Sequence, residues 1–168
     1  MSKIKKAKAK GWNFIEHSIS LEHCKSIASN VMKCAHDIQT MPLCVAICDN
    51  GGHLKYFERM DGCGIMRQEI AYAKAYTCLS MGFASRDLTK NLSNRPSFLQ
   101  SLSVASQGRM AFAAGGVLLL QDGKVVGAVG ISGDTSLVDE FCAIKGAQDS
   151  GFDTSPSQAH PDFLKSSL

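Results

Sequence analysis

The segment "VVGAVGISGDTSLVDEF", Val125 to Phe141, sets Gly127, Gly130 and Gly133 three residues apart and then turns acidic. Glycines ahead of a helix can cradle phosphate, because they let backbone N–H groups converge on an anion. The spacing argues against a nucleotide loop. A dinucleotide loop is G-x-G-x-x-G after a parallel strand, and a P-loop ends in G-K-S or G-K-T. This stretch is G-x-x-G-x-x-G and has neither ending. Glycine inside a strand marks instead a close approach by another backbone or by a ligand. Gly127 and Gly130 face opposite sides of such a strand. One is read as admitting a packed helix and the other as flooring a cavity. Gly133, in "SGD", either presents free N–H groups to an anion or makes a plain turn into the helix that comes next.

Thiol and metal chemistry have less to work with. Cysteines fall at 24, 34, 44, 48, 63, 78 and 142, an odd number with no C-x-x-C. Most sit in apolar stretches such as "LCVAICD", so they are expected to be reduced and buried. No H-x-x-x-H, H-x-E or paired-carboxylate motif is present to hold a metal.

The elements that would position these residues belong to a chain of 168 residues, 45% hydrophobic and 20% charged, which reads as a single globular domain. No apolar run reaches the roughly 18 residues needed to span a membrane. The formal charge of +3 is uneven: Lys3, Lys5, Lys6, Lys8 and Lys10 open the chain, leaving 13 basic residues against 15 acidic ones. Residues 1–12 are therefore read as a basic disordered tail, residues 13–153 as the domain and residues 154–168 as an irregular C-terminal tail. No aromatic residue stands among the opening lysines to stack on bases, so no nucleic-acid partner is expected. "MSKIKKAKAKGW" has no apolar stretch after its lysines, so it is not read as a secretory signal, and a cytoplasmic location is expected.

Along the domain, "SLEHCKSIASNVMKCAHDI" carries a helical apolar stripe, with Ser20 as N-cap and Pro42 closing the segment. "LCVAICDNGGHLKYFERM" reads as a hairpin around Asn50-Gly51, the pair that suits a type I′ turn. "GGVLLLQDGKVVGAVGI" repeats the device around Asp122-Gly123. Between them, "GIMRQEIAYAKAYTCLSMGF" is rich in helix formers, and "NLSNRPSFLQSLSVASQG" is read as looser. "DTSLVDEFCAIKGAQDSGF" starts like a helix, with Ser136 and Asp139 at capping-box spacing. Two hairpins give an antiparallel sheet of four strands, or five if "WNFIEHSIS" joins. The strands "LCVAIC" and "VVGAVGI" are apolar on both faces, so helices should cover both sides in an α+β fold.

These blocks resemble the GlcG/HbpS-like family, which includes the C-terminal domain of PduO. "VVGAVGISG" with the later "VDEFCAIKG" is similar to the family's v-v-G-a-v-G-v-S-G and its next helix. "AICDNGGHLKYFERMDG" is similar to v-v-D-x-x-G-x-L-x-x-x-x-R-M-D-g, and "IAYAKAYTCL" to i-A-x-x-K-A-y-T-A. "AAGGVLLLQDGKVVG" matches the Gly-Gly, strand and turn of the pattern. Together the blocks run in order from Leu21 to Phe152. The resemblance implies a profilin-like antiparallel sheet flanked by helices, and assembly into homo-oligomers. It also implies a small-molecule ligand. Some relatives bind haem, others lie in catabolic operons, and some are described as small-molecule lyases. Two functions are expected on this ground. One is a binding protein for haem or a similar flat, anionic molecule. The other is a cofactor-independent lyase or isomerase acting on a carboxylated aromatic or hydroxy acid.

Haem needs an axial ligand such as His in an apolar setting. Of the five histidines, His17, His23, His36, His53 and His160, the one after the Asn-Gly-Gly turn, His53, is the candidate for haem iron. At "SMGFASRDL", where some relatives carry a histidine, this chain has Ser85-Arg86. Arg59, Asp61, Lys74, Asp139 and Glu140 lie in the matching blocks. Arg59 or Lys74 is the candidate grip on a carboxylate and Asp139 the candidate proton carrier. The structural reading is favoured over the catalytic one: Arg59, Asp61 and Lys74 in ion pairs and Asp139 as the cap of its helix. Gly115, Gly116, Gly130 and Gly133 are candidate pocket walls that give backbone access. Met60, Met66 and Tyr76 are read as core.

Overall fold

The structure, a computed structural model, describes residues 17–165. The basic segment expected to be disordered, residues 1–12, lies outside the described residues. Five antiparallel strands form one open sheet in the order β2-β1-β4-β3-β5: β1 (Cys44–Asp49), β2 (Leu54–Arg59), β3 (Gly116–Gln121), β4 (Lys124–Ser132) and β5 (Asp153–Ser155). The helices α1 (Leu21–Asp37) and α5 (Ser136–Gln148) cover one face. The other face is covered by α2 (Met66–Met81), beside which lies α3 (Ser85–Asn91), with α4 (Pro96–Ala105) further out. This is the expected α+β sandwich of helices about an antiparallel sheet. Among the described residues no helix is long and apolar enough to cross a membrane.

The first helix starts where the sequence places it, with the Ser20 hydroxyl accepting from the His23 amide. Its stripe of Cys24, Ile27, Ala28 and Val31 is fully buried against α5 and the sheet. Each fully buried aliphatic side chain there contributes about 1.5–3 kcal/mol.

The two hairpins differ in their turns. Asp122 and Gly123 both take positive φ, at 51° and 71°, as a type I′ turn requires. At the first hairpin only Gly52 does, at 81°, because the loop is longer and the pairing resumes at Cys48 with Leu54. The Asp49 carboxylate holds this loop by accepting from the amides of Gly51 and His53. A local side-chain bond replaces the expected two-residue turn.

Other expectations shift for local reasons. The fifth strand is β5, on the far edge beside β3, not the lead-in. The described part of the lead-in forms no strand. It meets the sheet through the Ile19 amide, which donates to the Val126 carbonyl, and the first hairpin loop through the His17 carbonyl, which accepts from Asn50. Residues 154 and 155, expected in an irregular tail, thus belong to the sheet. The stretch read as loose folds into α4, started by Pro96 in the first turn, where a missing N–H costs nothing. The cap of α5 is Thr135, one residue before Ser136, and its hydroxyl accepts from the Val138 amide.

The strand glycines set the distance between sheet and helix. Gly116 and Gly130 are cross-strand partners, and a Cβ on either would run into the backbone of α2, at the carbonyls of Lys74 and Ala71. The helix meets them with Ala71, Ala75 and Cys78, so backbone packs on backbone. Gly127 faces the other way, toward Cys48 and Ile19.

Candidate functional site

Because α2 lies so close, its Lys74 side chain can pass the end of the sheet and reach the helix on the opposite face. The Nζ donates to the Ile131 carbonyl and to Asp139 Oδ2, both at 2.8 Å. The other carboxylate oxygen of Asp139 accepts from the Asp134 amide at 3.0 Å. Both side chains are almost wholly buried, Lys74 at 2% and Asp139 at 1% exposure. Burial pushes the ammonium down and the carboxyl up from their ordinary values, and each partner opposes the shift of the other. The pair bolts α2 to α5. Gly115 makes room for it, since a Cβ there would lie 2.7 Å from Nζ.

The other sequence candidates lie elsewhere. Arg59 is exposed at the end of the edge strand β2, and the guanidinium felt by both Lys74 and Asp139 is that of Arg67. Gly133 packs on the Pro42 carbonyl and Leu43, while Gly116 and Gly130 seat α2. The structure thus brings together Lys74, Asp139 and Gly115 but not Arg59, His53 or Gly133.

His53 sits on the first hairpin loop, its side chain 85% exposed and its Nδ1 3.5 Å from Asp49 Oδ1. The tyrosines beside it lie in the block "IAYAKAYTCL", where nothing marks them as partners of His53. The Tyr72 hydroxyl donates to the Gly52 carbonyl at 3.2 Å, and the Tyr76 ring packs against Gly52. The two tyrosine rings stand 6.0 Å apart, and the Arg109 guanidinium lies 4.7 Å over Tyr76. Next to Tyr72 an apolar groove of about 210 Å³ runs between β2 and α2, lined by Leu54, Phe57, Gln68 and Glu69. Tyr76, expected in the core, is only partly buried. Its exposure arises from the small residues on the opposite side of α2, which claim the sheet.

A second cleft, of about 490 Å³, opens between α3 and the segment after β5, where Arg86, Lys90, Ala159, His160 and Pro161 line it. Behind Arg86 lies Glu140, with 0% exposure. Arg86 Nη1 stands 2.9 Å from Glu140 Oε1, but neither carboxylate oxygen accepts a well-formed hydrogen bond. Burial pushes this carboxyl up to about 7, against the pull of Arg86. In the sequence Arg86 stands out only as a departure from the family pattern. Its contact with Glu140 spans 54 positions and has no local signature.

All seven cysteines are free, and six are buried. Among the described residues no group of three or more His, Cys, Asp or Glu could hold a metal ion.

Residues 19–148 match the family model described as "Haem degrading protein HbpS-like". An uncharacterized 15.0 kDa protein encoded in the dhaT-dhaS intergenic region of Citrobacter freundii is 31% identical over 126 residues, covering 75% of this chain and 87% of that one. Protein GlcG of Escherichia coli is 33% identical over 96 residues, covering 52% of this chain and 62% of its own length. Among solved structures, one described as a PduOC:heme complex superposes with a TM-score of 0.74 at 26% identity, over 82% of this chain and 99% of that one. HbpS superposes with a TM-score of 0.71 at 26% identity, over 86% and 99%. With its fold, its glycine-seated helix and these matches agreeing, the chain belongs to the HbpS-like family.

Proposed function

We propose that the protein binds haem or a similar flat, anionic molecule on the surface formed by the first hairpin loop and α2. The observation that carries this is the grouping at His53. An imidazole lies beside a carboxylate that can orient it, next to tyrosine faces, an apolar groove and an arginine. Such a carboxylate fixes the tautomer and leaves Nε2 for iron. Tyr72, Phe57 and Leu54 offer the apolar wall, and Arg109 a partner for a ligand carboxylate. The groove is smaller than the roughly 300–1,000 Å³ of enclosing pockets, so the ring would lie against the surface with one edge open. A relative whose structure is described as a haem complex supports the reading.

The lyase or isomerase reading requires Asp139, with Arg59 or Lys74, to meet a substrate, whereas Asp139 and Lys74 are covered and engaged in internal bonds and Arg59 stands apart at the exposed end of β2. A homo-oligomer is part of the proposal: Ile65 and Met66 are exposed at the start of α2, at 81% and 62%, where a second copy would cover them. Reduced thiols buried throughout the fold suit a reducing cytoplasm.

The test is an absorbance titration with haemin of the wild type beside His53→Ala. A saturable Soret shift that the substitution abolishes supports the proposal. A shift retained in the variant rejects His53 as the ligand, and no saturable shift in the wild type rejects haem.

A further inference from the structure

The Arg86 cleft is separate from the His53 surface, and its chemistry is independent of the haem reading. Arg86 is 23% exposed and faces the cleft, while its guanidinium also stands against the wholly buried Glu140. It donates to the Gln158 carbonyl at 3.3 Å and lies 3.9 Å from Asp87 Oδ1. A buried charge left half-satisfied is costly, since each unmade hydrogen bond keeps its desolvation penalty. The neighbouring Lys74–Asp139 pair meets that demand, whereas Glu140 has two buried oxygens with no well-formed bond. The charged and titratable groups that face Glu140 are Arg86 and Asp87 on α3 and Lys74 and Cys78 on α2, together with the His160 amide on the segment after β5. Arg86, Asp87 and His160 also line the cleft.

We infer that this cleft binds a small organic carboxylate through Arg86 and Lys90, and that the bound carboxylate takes Arg86 from Glu140, which accepts a proton from solvent in exchange. The guanidinium fork matches a carboxylate, and Lys90 adds a second cation. Ala159 and Pro161 give an apolar wall for the ligand's body. The volume suits a small metabolite. Once Arg86 turns to the ligand, an ionised Glu140 would be buried without its cation, so protonation restores neutrality. One anion enters, one proton is taken up, and the protein's charge balance is kept. Glu140 is a positioning residue here: it holds Arg86 at the cleft and sets the pH dependence of binding.

The experiment is calorimetric titration of the full chain with benzoate, ionised throughout, from about pH 6 to about pH 8, in two buffers of different ionisation enthalpy. Above neutrality, where Glu140 is ionised before binding, benzoate should bind with uptake approaching one proton, and its affinity should fall up to roughly tenfold per pH unit. At about pH 6 the uptake should shrink. Glu140→Gln should bind without that slope and without proton uptake. His160→Gln should keep both, since the His160 Nδ1 accepts from the Asp162 amide rather than facing Glu140. Arg86→Ala should lose at least tenfold in affinity while keeping its circular dichroism spectrum. Inorganic phosphate, run in parallel, should bind more weakly for want of an apolar body. The inference is overturned if folded wild type does not bind benzoate, if Arg86→Ala binds as well as wild type, or if Glu140→Gln keeps the slope.

Discussion

Two adjacent acids on α5 reach across to cations on the helices of the opposite layer, and they end in opposite states. Asp139 meets Lys74 with every strong bond made: ammonium to carboxylate, ammonium to the Ile131 carbonyl, carboxylate to the Asp134 amide. Glu140 meets Arg86 at similar range but leaves both oxygens short of a well-formed bond, with a cleft on the far side of the guanidinium. The difference teaches where this fold holds itself together and where it keeps a charge available. Lys74 is enclosed because Gly115, Gly116 and Gly130 bring α2 and its lysine against the sheet. Arg86 is less enclosed because α3 is a short helix with few buried side chains, Ser85 and Leu88.

The comparison breaks most sharply at the bolt. Lys74→Ala leaves the Asp139 carboxylate buried without its cation and should lower unfolding stability by about 3–5 kcal/mol. Denaturant melts would register this, and the double change Lys74→Met with Asp139→Leu should recover much of the loss. Gly130→Ala should cost about 1–3 kcal/mol, because its Cβ would displace α2 at the Ala71 carbonyl.

Burial raises both carboxyls, but at Glu140 no well-formed bond offsets it, so the expected sign of a neutral substitution reverses. Its carboxyl is raised from the ordinary value of 4.5 to about 7, so the folded state holds the proton that the unfolded state has released. Stability attached to that proton is full below about pH 4.5 and is lost as pH rises through about 7. Glu140→Gln should therefore be near neutral in acid and stabilising, by up to about 3 kcal/mol, above pH 7. The smallest effect belongs to His53→Ala, exposed on its loop, which should change stability by less than about 0.5 kcal/mol. Thermal melts that show a larger change would mean the hairpin loop depends on the His53–Asp49 contact.

Much of this architecture is legible in the sequence, for identifiable reasons. Local chemistry announces itself: Ser20 before the apolar stripe, Asp122-Gly123 between alternating strands, glycines where a backbone must come close. Legibility ends where side chains that converge only on folding decide the outcome. Asn50-Gly51 has the composition of a two-residue turn, but the Asp49 side chain captures the loop amides. Ser136 has the spacing of a cap, but Thr135 holds that place, and the Asp139 carboxylate instead accepts from Asp134 while meeting Lys74. Lys74 is legible as an ion-pair or anion-gripping residue and Asp139 as a helix cap or proton carrier, but their pairing with each other appears only in the geometry. The tyrosines beside Gly52 and the Arg86–Glu140 contact have no signature, because nothing in spacing tells which side chains meet across the fold.

The division of labour between the two acids is tested most directly by measuring unfolding free energy against pH for wild type, Asp139→Asn and Glu140→Gln. Asp139→Asn should lose stability at every pH near and above neutrality, having left Lys74 without its partner. Glu140→Gln should match wild type in acid and exceed it above pH 7. If Glu140→Gln instead loses stability above pH 7 as Asp139→Asn does, both acids are structural bolts and the account of Glu140 is wrong.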